Sequence, residues 1–102
     1  MICLKVEFLV KEGTENRTRE LIRILEEQSR KEPGCRAYVG YQSVKDSRRF
    51  FLYEVYANEA ALQAHRDAAY FKQYVTRGLN DVIERRVRRL YKPISDSVPT
   101  SA

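Results

Sequence analysis

A single histidine, His65, occurs among the 102 residues, and imidazole is the side chain whose ordinary pKa suits proton abstraction near neutral pH. It lies in a stretch from Glu32 to Tyr74 that also holds most of the aromatic residues and one carboxylate, Glu54, set inside an apolar run. Glu54 has two open roles: it can orient the imidazole, or act as acid or base itself if burial raises its pKa. Tyr38, Tyr53 and Tyr56 can donate hydrogen bonds to an oxyanion, while their rings, with Phe50, Phe51 and Phe71, supply apolar walls. The same residues also have a purely structural reading. A lone histidine on an alanine-rich helix face can be a packed core residue, and strand tyrosines commonly serve core or interface.

The elements that must position these side chains follow from periodicity. Residues 2 to 10 alternate, with Ile2, Leu4, Val6, Phe8 and Val10 on one face, which predicts a half-buried strand. Gly13 permits a turn and Thr14 offers an N-cap oxygen. From Glu15 to about Lys31 a narrow stripe of Leu21, Ile22 and Leu25 predicts an amphipathic helix, ended by Pro33-Gly34. Cys35 to Val44 and Arg49 to Ala57 flank the polar turn Lys45-Asp46-Ser47-Arg48 and predict an antiparallel hairpin. In its second strand Phe50, Leu52, Glu54 and Tyr56 share one face and Phe51, Tyr53 and Val55 the other; both are apolar, which predicts a central strand covered on both sides. Asn58 can cap a second helix that places Leu62 and His65 on one face, with a kink near Ala69-Tyr70. Arg85 to Ile94 reads as a last strand.

Strand, helix, strand, strand, helix, strand predicts an α+β, ferredoxin-like βαββαβ antiparallel sheet with both helices on one face. The other face would then expose Phe and Tyr side chains, which predicts a homodimer forming a dimeric α+β barrel. The domain is expected over residues 1–94, followed by a polar tail, 95–102.

Composition narrows the function classes. The chain has room for one core, and without a long apolar segment a cytoplasmic protein with no membrane partner is expected. Cys3 and Cys35 lack the spacing of a zinc or redox pair and are expected as buried free thiols, and with one histidine no metal site is expected. The net charge is +5, with the excess between Arg77 and Lys92, where a basic run could attract an anion or face a partner's acidic groups. An RNA-recognition domain shares the element order, but RRFFLYEVY has no glycine and sets Glu54 mid-strand, against a phosphate backbone. No nucleic-acid partner is expected.

Glu32-Pro33-Gly34-Cys35, Tyr38, Ser47-Arg48, Phe50-Phe51-Leu52-Tyr53-Glu54, Glu59-Ala60-Ala61-Leu62-Gln63-Ala64-His65 and Tyr70-Phe71-Lys72 together resemble the antibiotic biosynthesis monooxygenase family over nearly the whole chain. Its small quinol monooxygenases and the related autoinducer-2 phosphate isomerase are the nearest in pattern. The resemblance implies a pocket between sheet and helices in each subunit and no metal or flavin cofactor. Two departures are informative: the chain has no tryptophan, which the haem-degrading branch relies on, and Ala69-Tyr70 stands where relatives often have Pro-His.

Oxygenation without a cofactor needs a substrate that can itself reduce dioxygen once deprotonated, and a protein that takes the proton, holds the anion and excludes water. The function the resemblance implies is cofactor-independent monooxygenation of a small electron-rich aromatic, a quinol or hydroxylated polycyclic. His65 and Glu54 are the catalytic candidates, with Tyr38, Phe50, Tyr53, Tyr56 and Phe71 around the substrate. Two alternatives stay open: an isomerase that moves a proton on a small phosphorylated carbonyl compound held by arginines of the last strand, and a non-catalytic small-molecule binding dimer.

Overall fold

The computed structural model describes residues 1–95. Strand β1 (Ile2–Val10) runs into helix α1 (Glu15–Arg30), then the hairpin β2 (Cys35–Gln42) and β3 (Arg49–Tyr56), helix α2 (Glu59–Asp67), a helical stretch over 69–82, and β4 (Ile83–Tyr91). The sheet is antiparallel, in the order β2-β3-β1-β4. This is the ferredoxin-like arrangement read from the pattern. The predicted tail beyond residue 95 lies outside the described residues.

The period of two decides which side chains meet. Leu4, Val6 and Phe8 of β1 stand opposite Glu54, Leu52 and Phe50 of β3 and opposite Leu90, Arg88 and Arg86 of β4. These residues share the inner face, against which α1 lays Leu21, Ile22 and Leu25, all buried. Gly40 lets α1 approach β2 closely: a methyl group there would overlap the side chain of Ile22. Gly40→Ala is therefore expected to lower stability by about 1–3 kcal/mol through overpacking, read as a lower midpoint in chemical denaturation.

Local chemistry meets expectation at the Asn58 cap and departs from it elsewhere. The Thr14 hydroxyl turns back to donate to the Lys11 carbonyl at 2.6 Å and does not cap α1. Asn58 does cap α2, its Oδ1 accepting from the Ala61 amide at 2.8 Å. The helix break falls at Ala68, whose extended backbone (ψ 142°) separates α2 from α3 (Ala69–Phe71), a π-wound stretch (Lys72–Leu79) and α4 (Asn80–Val82). Finally, β3 is central but covered on one face only, so Phe51 and Tyr53 are half-exposed on the outer face of the sheet. Beside them Tyr41 stacks on Phe51 at 4.7 Å, and Tyr91 and Val87 are 49% and 44% exposed. Cys3 and Cys35 are free thiols, half-buried rather than buried.

Candidate active site

The alternation of β3 points Glu54 into the space beneath α2, and the spacing of Leu62 and His65 turns the imidazole down toward it. The two meet: His65 Nε2 lies 3.7 Å from Glu54 Oε1, with both side chains nearly sealed from solvent (residue exposures 2% and 3%). They border a cavity of about 370 Å³ between the inner sheet face and the helical layer. Tyr38, Leu4, Val6 and Phe71 are among its walls, and the π-wound stretch contributes Val75, Thr76 and Leu79. π-Helical turns are uncommon and recur at functional sites; here one forms part of the roof.

The other side of the imidazole has its own partners. His65 Nδ1 is 3.0 Å from Glu32 Oε2 and 3.0 Å from the Tyr70 hydroxyl, which itself donates to the same Glu32 oxygen and lies 3.2 Å from Ser29 Oγ. The break at Ala68 is what brings Tyr70 back to this point. With Nδ1–H donated to a carboxylate, Nε2 carries the free lone pair and faces Glu54 and the cavity.

Burial sets the charge states. Desolvation lowers the His65 pKa, opposed by its hydrogen bond to Glu32. Desolvation likewise lifts Glu54 to about 7, although the Tyr56 hydroxyl donates to its Oε1 at 2.6 Å and Arg88 and Arg66 draw it down. Burial thus pushes the carboxyl up and the imidazole down, so that both are drawn toward their uncharged forms rather than held as a fixed ion pair, and a proton can pass between them and a substrate. Burial and the nearby Glu54 hold the Tyr38 hydroxyl far above its ordinary pKa. It stays a donor, and it makes no hydrogen bond to another described residue.

Of the residues singled out from the sequence, His65, Glu54, Tyr38 and Phe71 come together at the cavity, Phe71 edge-on to the imidazole at 5.2 Å. Tyr56 sits behind them, bonded to Glu54 and 5.2 Å from His65 ring to ring. Phe50 is on the right face but stacks behind the lining residue Phe8 at 5.8 Å and does not itself border the cavity. Tyr53 does not belong to the site. As an odd-numbered position between Leu52 and Glu54 it points to the outer face, pairing with Lys5 and bordering a shallow hollow with Cys3 and Tyr91.

Two participants were missed. Glu32 was read only as the start of a turn and Tyr70 only as a replacement, because nothing local indicates that residues 33 and 5 positions from His65 reach its ring. The basic run of β4 was read as a possible holder of an anion; the alternation that sends Arg86 and Arg88 inward and Arg85 and Arg89 outward decides which of its arginines border the cavity.

The sequence profile of the family described as antibiotic biosynthesis monooxygenase matches residues 1–77. The chain belongs to the antibiotic biosynthesis monooxygenase family. Solved structures agree with this placement. A protein of Nitrosomonas europaea named for antibiotic biosynthesis monooxygenase superposes with a TM-score of 0.87 at 29% identity, over 93% of this chain and 100% of that one. A second, also called antibiotic biosynthesis monooxygenase, gives 0.82 at 27% identity over 97% and 100%. The Mycobacterium tuberculosis protein Rv0793, at 21% identity and TM-score 0.86 over 95% and 98%, shares the fold. Among curated proteins, an uncharacterised protein of Synechocystis is 33% identical over 66 residues, 65% of this chain and 45% of its own length. The chain thus spans under half of that relative. No helix among the described residues is long and apolar enough to cross a membrane.

The Glu32 contact yields a test specific to this family member. Because the chain has one histidine, its imidazole ring protons can be followed by NMR without assignment variants. Glu32 raises the His65 pKa, so Glu32→Gln is expected to move that titration to lower pH and to reduce turnover by about tenfold through loss of ring orientation. An unmoved titration would mean that Glu32 does not hold the ring.

Proposed function

We propose that this protein is a cofactor-independent monooxygenase of a small electron-rich hydroxyaromatic, a quinol or hydroxylated polycyclic. The observation carrying this reading is the buried His65–Glu54 contact at 3.7 Å on the wall of a cavity of about 370 Å³ that is open on one side and more apolar than polar in its lining. Family membership supports it.

His65 Nε2 accepts the phenolic proton, which converts the substrate to an anion able to give an electron to dioxygen. The Tyr38 hydroxyl donates to the phenolate oxygen, and Phe71 and the aliphatic walls keep water away. Radical recombination forms a carbon-bound hydroperoxide. As its O–O bond breaks, one oxygen stays on the ring as a carbonyl and the other leaves as water, with the proton supplied from the His65–Glu54 pair. A quinol and one dioxygen thus become a hydroxyquinone and one water.

The test is oxygen uptake over a panel of quinols and hydroxylated polycyclics, with isotopically labelled dioxygen and no added metal or flavin. One labelled atom in the product and one in water is the expected outcome. Uptake no faster than without protein, or hydrogen peroxide as the sole oxygen product, would overturn the reading.

The acting form in this proposal is a homodimer joined through the outer sheet face. The apolar side chains gathered there, Tyr41, Phe51, Tyr53, Val87 and Tyr91, support it. Light scattering is expected to give twice the chain mass, and Phe51→Asp to give a monomer; a wild-type monomer at micromolar concentration would contradict the proposal.

A further inference from the structure

Three arginines border the same cavity. Arg86 and Arg88 stand two positions apart on the inner face of β4, in register with Phe8 and Val6, so both side chains leave the sheet on the side of the cavity. Arg66 follows His65 on α2 and enters from above. Arg86 donates to Asn80 Oδ1 at 2.8 Å, while the side chains of Arg66 and Arg88 make no hydrogen bond or ion pair with another described residue. Glu54 is the one carboxylic acid among the described lining residues, and with its pKa lifted to about 7 it is only partly ionised at neutral pH.

Three guanidinium groups therefore border one cavity, two of them on the exposed residues Arg86 and Arg88, against a single carboxyl group that is only partly ionised at neutral pH. They feel one another: burial, then Arg66, and also Arg86, draw the Arg88 pKa down against the opposing pull of Glu54. Like charges gathered in a partly desolvated space are costly on their own and become favourable when an anion arrives, most of all one with paired oxygens that match the guanidinium fork. The cavity thus has two ends of different chemistry: an apolar, acid–base end at His65, Glu54 and Phe71, and a cationic end at Arg86 and Arg88.

We infer that the arginines form an anion subsite, so that the substrate is a hydroxyaromatic bearing a carboxylate or phosphate group, held at Arg86 and Arg88 while its hydroxyl faces His65. This deepens the oxygenase reading and rests on it for the identity of the aromatic part. The anionic substituent fixes which ring edge meets dioxygen, because a bidentate contact at one end leaves the ring little freedom to turn.

Isothermal titration calorimetry under anaerobic conditions with hydroquinone, dihydroxybenzoate and hydroquinone monophosphate tests this, with wild type, R88Q and the double variant R86Q/R88Q, whose folding is checked by thermal melting. At least one anionic probe is expected to bind about tenfold or more tightly than hydroquinone. That ratio should fall toward one in the double variant and shrink as salt is raised. Which anionic probe shows the preference separates carboxylate from phosphate. Equal affinities for neutral and anionic probes in wild type, or a preference that survives in R86Q/R88Q, would overturn the subsite. Anion-selective binding without oxygen uptake in air would keep the subsite and remove the oxygenase reading, whereas equal uptake with neutral and anionic quinols, with no binding preference, would do the reverse.

Discussion

His65→Ala is expected to lower oxygen uptake by roughly 10²- to 10⁴-fold, the range for loss of a positioned general base. The neighbouring tyrosines cannot take over, because burial and Glu54 hold the Tyr38 and Tyr56 hydroxyls above their ordinary pKa. Glu54, with its pKa near 7, is the group that supplies any residual uptake. The variant is also expected to lose stability, by about 1–3 kcal/mol, since Glu32 and Glu54 each lose a buried neighbour. Glu32 keeps its bond from Tyr70, so the fold is expected to persist. Added imidazole separates the two effects: a small base that enters the vacated space should restore part of the uptake without raising the melting temperature to the wild-type value. Unchanged turnover in His65→Ala would remove the histidine from the mechanism.

The second large effect concerns Glu54 and pH. Its pKa rises from 4.5 in the unfolded reference to about 7 in the fold, mainly through desolvation. Between these values the folded state holds a proton that the unfolded state has lost, so stability falls as pH rises through this window. The protonated Glu54 contributes fully below pH 4.5, and the contribution is gone above about 7. A gap of this size corresponds to about 3 kcal/mol. Glu54→Gln, which keeps an oxygen for the Tyr56 hydroxyl but cannot ionise, is expected to be more stable than wild type by about that amount at pH 8 and nearly equal to it at pH 4. His65 acts in the opposite sense: with its folded pKa depressed, its stabilising contribution is present above its ordinary value of 6.5 and is lost as pH falls. The difference between the Glu54→Gln and wild-type denaturation curves, taken pH by pH, reports the glutamate together with the change it makes in its neighbour His65, which falls at lower pH. A flat difference would show that Glu54 is not desolvated. The same variant is expected to lose most of its oxygen uptake, because the proton partner of Nε2 is gone, which makes it a more stable but less active protein.

These expectations depend on different parts of the chain being legible to different degrees. The alternation of β1 and β3 and the stripe of α1 were readable because a half-buried element writes its period into the residue types, and the element order then left few topologies. Glu54 and His65 were readable as a pair because each breaks the pattern of its own element on the face that must be buried. Tyr53 was misplaced since an aromatic strand offers rings on both faces, and the choice between faces follows from parity, which assigns it with Phe51 to the outer side. The Thr14 cap was misread because the hydroxyl had a nearer carbonyl to satisfy, that of Lys11.

Composition and periodicity were enough for the ferredoxin-like sheet, its buried face and the one imidazole that could act as a base, since burial imposes a local repeat on each element. The partners of that imidazole could be settled only in three dimensions. Glu32 ends the first helical region, Tyr70 follows a break in the second, and Arg88 sits on the last strand; they converge because the sheet closes and Ala68 bends the chain. Hydrogen bonding and desolvation act across a few ångströms whatever the separation along the chain, and so the poise of Glu54 near neutrality belongs to the packed cavity and to no single segment.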